Sequence, residues 1–273
     1  MRIKRISVQN LGSIEFFECD FEDTLNIINS RDVSELSRAI QFVANCRGFY
    51  LPKQWVSRNT QIEALVCFRE MIYKIVARKE PNKSSLRLYA YDGEDKDMTK
   101  EYLYATTHCI EQDLSEIFEG NISEMSFKPI QYLDEDRYYT FDELSRRTDR
   151  VSEIKAFRSY LKGFIKDFQP ECMREGKRYE LCLDENRRYA VKCKGGDDLP
   201  VCLSESEQVL FRYLCFLKTA EFWQGFEELR NLNDVKKPIL VKNFIERLDE
   251  SIDIQDVLER TKRLNRQVIM LTI

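Results

Sequence analysis

The chain has 273 residues, with 43 Lys and Arg against 47 Asp and Glu, a net charge of −4, and 43% hydrophobic and 12% aromatic residues. That length and mix describe an ordered globular protein of one large or two small domains, and the near-balance of charge excludes a global field favouring nucleic acid or an anionic membrane. The nine cysteines are scattered without a Cys-x-x-Cys pair, the N-terminus lacks an apolar signal core, and no run approaches the roughly 18 residues of a membrane span, which together imply buried thiols in a reducing cytoplasm and no membrane, disulfide framework or zinc site.

In chain order, alternating apolar residues predict strands at 3–8 (IKRISV), at 14–21 (IEFFECDF, with Phe17, Cys19 and Phe21 on one face) and at 24–28 (TLNII). Gly12 falls between the first two. Asp32-Val-Ser-Glu35 reads as a capping box for a helix that carries Leu36, Ala39, Ile40 and Val43 at helical spacing. IEALVCF (62–68) and MIYKIVA (71–77) form a hairpin about Arg69-Glu70, followed by a strand at 86–91. From Gly93 to about residue 107 the charges thicken into an exposed loop. A short helix at 110–118, a strand at 126–133 and a long helix at 141–168 stopped by Pro170 come next. The last third holds a hairpin at 179–193, a largely apolar helix at 203–223, a buried strand PILV (238–241), an amphipathic helix at 254–264 and a final strand at 266–273.

This order, with its particular words, resembles an ABC-type ATPase head of the SMC/RecF class. Asn10-Leu11-Gly12 and the stretch Phe21 to Asn26 match the family's opening, and LNIINSRDVSELSRAI (25–40) has the strand-to-helix setting of a phosphate loop. LSESEQVLFRYLCFL (203–217) is similar to the signature segment, PILVKNFIERLDESID (238–253) to the Walker B strand with its D-loop, and RQVIMLTI to the strand before the switch histidine. The resemblance implies an α/β fold with mixed sheets flanked by helices, a P-loop NTPase-like topology and no coiled-coil arm. It divides the chain into an N-terminal lobe at 1–92, a helical and irregular insert at 93–177, and a C-terminal lobe at 178–273 that packs with the first as one discontinuous domain.

The residues that would do the chemistry are replaced. A phosphate loop uses glycines to turn backbone N–H groups inward, a Lys for the phosphates and a Ser/Thr for magnesium. Here Val33 stands at the Lys position and Ser34 at the hydroxyl position, in a loop about three residues short of the motif and free of glycine. Asp32 and Ser34 read more simply as helix-capping residues. Walker B chemistry needs an Asp beside magnesium and a Glu to orient water; Lys242 and Asn243 stand there. Lys242 reads as a strand-end residue, with an anion-holding surrogate cation as the alternative. Ser204 persists in the signature, but Glu205 and Ser206 replace its glycines, and Ser204-x-x-Glu207 is also a capping box. Gln131 matches a Q-loop position, and no switch histidine follows Thr272-Ile273. The single histidine, His108, adjoins Cys109 in a geometry poorly suited to a nucleophile pair, and the basic clusters at Arg146, Arg147 and Arg150 and at Arg260, Lys262, Arg263 and Arg266 read as solvated faces.

The expectation is therefore a pseudo-ATPase with no catalytic residues, cofactor or metal, serving as a structural or regulatory interaction module. Its partner is a protein, either a second copy or an active ATPase, and the D-loop residues Arg247, Leu248, Asp249 and Glu250 are the candidate interface. The alternative is a nucleic-acid-binding protein of a repair or mobile-element system.

Overall fold

The computed structural model describes residues 2–45, 53–68, 71–80, 83–91, 95–97, 131–133, 179–183, 189–193, 204–207, 209–210, 213, 238–264 and 266–273. The expected helices at 110–118 and 141–168, His108, Cys109 and the cluster Arg146, Arg147 and Arg150 lie outside these residues. The chain forms two compact units, one of Met1–Tyr132, Leu232–Asn243 and Lys262–Ile273, the other of Leu133–Asn231 and Phe244–Thr261.

The first unit begins with β1 (Arg2–Leu11) and β2 (Ile14–Asp20), antiparallel about the turn at Gly12. Further strands β4 (Val56–Phe68), β5 (Met71–Glu80), β6 (Lys83–Tyr91) and β7 (Asp95–Asp97) complete a six-stranded antiparallel sheet in the order β2-β1-β4-β5-β6-β7. The stretch 93–107, expected as loop, thus contributes a short strand: Asp95–Asp97 is held by pairing with Tyr89–Tyr91 and needs no apolar alternation of its own. Along β1, Ile3, Ile6, Val8 and Leu11 are buried, the parity switching at bulges between Ile3 and Arg5 and between Gln9 and Leu11.

Four other strands make a second sheet in the order β3-β12-β11-β8, where β3 is Leu25–Asn29, β8 is Gln131–Leu133, β11 is Ile239–Lys242 and β12 is Val268–Thr272. β3, β12 and β11 run parallel, so the three apolar runs TLNII, PILV and QVIML lie side by side, as right-handed strand–helix–strand connections require. Helix α1 (Val33–Asn45) packs against β1 and β4 as well as β11 and β12. Its residues Leu36, Ala39, Ile40 and Val43 are fully buried in the same cluster as Ile62, Ala64, Leu240, Ile269 and Leu271. Burying each large aliphatic side chain there contributes about 1.5–3 kcal/mol.

A polar residue ties the two sheets. Gln267, 2% exposed, accepts a hydrogen bond from Ile3 N (2.8 Å) and donates through Nε2 to Ile3 O (2.7 Å) and Glu22 O (2.9 Å). Its amide supplies the acceptor and donors that a neighbouring strand would have supplied, so the buried backbone groups of Ile3 are not left unsatisfied. Nearby, Asp23 binds Arg2 at 2.6 Å and Lys4 at 2.5 Å, which holds its carboxyl below the usual carboxylate range, the Lys4 hydrogen bond contributing most.

The second unit contains a two-stranded antiparallel sheet, β9 (Tyr179–Leu183) with β10 (Tyr189–Cys193), the hairpin expected at 179–193. It also contains helical residues 205–207, 209–210 and 213, a 3-10 turn Ile245–Arg247, and most of α2 (Ile254–Lys262). Asp253 caps α2, its Oδ1 accepting from Gln255 N at 3.0 Å and Asp256 N at 3.2 Å. Among the described residues no helix is long and apolar enough to cross a membrane.

Candidate functional site

In a parallel sheet, the connections that leave the carboxyl ends of the strands build the ligand site. At that edge β3 ends in Asn29, β12 in Thr272 and β11 in Lys242. The connections leaving β3 and β11 are pinned to β12 at once, because Ser30 N donates to Thr272 O and Asn243 N to Leu271 O, each at 2.9 Å. Only Ser30, Arg31 and Asp32 join β3 to α1. A connection so short has no room for the glycine-rich cradle of a phosphate loop.

Val33, at the expected Lys position, is 3% exposed and belongs to the hydrophobic core. Ser34 is exposed. The mouth of α1 is lined by acids: Asp32 and Glu35 are both half-buried, and the Ser13 hydroxyl donates to Asp32 Oδ1 and lies 3.2 Å from Glu35 Oε1. The capping box expected between Asp32 and Glu35 is replaced by this arrangement. Asp32 N instead reaches Ser30 Oγ at 3.1 Å, because the β1–β2 turn has drawn both carboxylates toward Ser13. The turn can approach only because Gly12 has φ +60° and no side chain; a Cβ there would lie 2.7 Å from Glu35 Cγ. A helix N-terminus favours negative charge by about 0.3–1 kcal/mol per group, and here the chain's own carboxylates take that place.

Lys242 is half-buried at the end of β11. Leu240, two residues earlier, lies in the α1-containing cluster, so strand alternation sets Lys242 on the α1 face of the sheet. Asn243 follows with φ +51°, a left-handed conformation that Asn tolerates far better than Glu. Gln131 opens β8 in the same sheet.

The signature-like segment and the D-loop-like segment both lie in the second unit. The Ser204 capping box forms as expected: Glu207 N donates to Ser204 Oγ at 3.2 Å and Ser204 N to Glu207 Oε2 at 2.8 Å. Ser206 is 5% exposed, and its hydroxyl donates to Arg247 O and accepts from Asp249 N, both at 2.8 Å. Arg247 Nη2 meets Glu205 Oε1 at 3.1 Å. Asp249 Oδ1 accepts from Ser251 N at 2.9 Å and from the Ser251 hydroxyl, closing the following turn. Leu248 is half-buried and Glu250 exposed. Arg247 and Asp249, expected as free interface charges, thus also brace the local backbone.

Deeper in the unit, Tyr213 and Phe244 stack with ring centroids 4.1 Å apart. The Thr261 hydroxyl donates to Val257 O at 2.8 Å, so the Tyr213 hydroxyl donates to Thr261 Oγ1 at 2.9 Å. Burial raises the Tyr213 phenol far above its ordinary value. The basic residues at 260–266 do not form one patch: Arg260 pairs with Asp256 at 2.7 Å, Lys262 and Arg263 are exposed, and Arg266 is 4% exposed. Sequence reasoning missed Ser13, Gln267 and the bracing role of Ser206, since none carries a periodic or capping signal for the contacts it makes.

No protein-family model matches the chain, and no curated protein matches it in sequence. Among solved structures, the recombination mediator protein RecF-ATP in the RecFOR pathway superposes with a TM-score of 0.51 and 13% identity, over 99% of this chain and 93% of that one. RecF-ATPrS in the same pathway gives 0.51 and 13%, over 100% and 92%. The chain therefore has a fold similar to that of the recombination mediator RecF.

Proposed function

We propose that the chain is a catalytically inactive ABC/SMC-like pseudo-ATPase that acts as a structural or regulatory protein-interaction module. The observation that carries this reading is the mouth of α1: a three-residue connection without glycine, Val33 turned into the core, and the carboxylates of Asp32 and Glu35 gathered at Ser13. A triphosphate entering there meets two acids in place of a cradle of N–H groups and a lysine. Lys242 and Asn243 offer neither a magnesium ligand of the carboxylate type nor a general base.

Calorimetric titration with ATP and Mg²⁺ tests the proposal. No heat of binding and no hydrolysis above background are expected, and the double variant K242D/N243E remains inactive because the phosphate loop is still missing. A micromolar ATP affinity of the unmodified protein overturns the reading. A second reading, a nucleic-acid-binding protein of a repair system, draws on the fold similarity to a recombination mediator. Duplex DNA affinity that falls steeply with salt selects it.

A further inference from the structure

We draw no further inference here: the strongest candidate, the half-buried ammonium of Lys242 at the carboxyl end of β11, belongs to the candidate site already described, and nothing in the structure shows a ligand for it.

Discussion

Restoring the glycine that a signature segment would carry at position 206 should weaken the protein without conferring anything in return. Ser206 is 5% exposed and its hydroxyl serves two backbone groups, Arg247 O and Asp249 N, at 2.8 Å each. Ser206→Gly strips both of their partner. A buried polar group left unsatisfied costs about 1–3 kcal/mol; these groups are part-buried, so the lower end applies and the two together cost about 2 kcal/mol. Glycine adds a few tenths of a kcal/mol of helix propensity loss relative to serine. Ser206→Ala isolates the hydroxyl and should cost about 2 kcal/mol alone. Urea denaturation of the full chain measures the global effect, and hydrogen exchange of the Asp249 amide measures the local one, with protection expected to fall roughly 30-fold for 2 kcal/mol. If both variants stay within 0.5 kcal/mol of the parent, on the scale of an ordinary surface change, and Asp249 exchanges at its original rate, Ser206 is not the strut described here.

Gly12→Ala should destabilise by about 1–2 kcal/mol from the left-handed backbone alone, with a further steric loss against Glu35 that disappears in the background of Glu35→Ala; a double-mutant cycle by denaturation reads the coupling. Asn243→Gly should be nearly neutral, whereas Asn243→Val should cost about 1–2 kcal/mol at φ +51°, read from the shift in thermal midpoint. The Asp23 carboxyl is held below its ordinary value by Lys4 and Arg2, so its contribution is present above about pH 4 and is lost as pH falls through the lower folded-state value. The stability gap between the parent and Asp23→Asn should accordingly close in strong acid, and because the pair is exposed the gap at neutral pH should not exceed about 1 kcal/mol.

Much of the sheet architecture was legible because short apolar runs flanked by caps admit few alternatives. TLNII, PILV and QVIML each read as strands, and the helix after β3 announced itself through Leu36, Ala39, Ile40 and Val43, all fully buried. That they lie side by side follows from right-handed strand–helix–strand connections, which pack helices on one sheet. β7 was not legible, since Asp-Lys-Asp becomes a strand only through its neighbour. The acidic mouth of α1 was half legible: Asp32 and Glu35 were identified as a cap, but sequence spacing cannot show that Ser13, remote in the chain, competes for their oxygens. Gln267 looks in sequence like any polar residue before an apolar strand; only the tertiary structure shows that its amide serves two backbone carbonyls and an N–H.

The parallel ladder between β3 and β12 also fixes an order of events. Asn26 and Val268, separated by 242 positions, touch across it, so β3 has no β12 to pair with until that intervening stretch has left the ribosome. The six-stranded antiparallel sheet is complete in sequence by Asp97 and can assemble during synthesis. Until Ile239–Lys242 and Val268–Thr272 arrive, the part of the α1 core face that they cover and the edge of β3 that pairs with β12 stand open to solvent. Long-range closure of this kind is slow and leaves an aggregation-prone intermediate. Production of this protein should therefore depend on translation rate and chaperone supply more than its final stability would suggest.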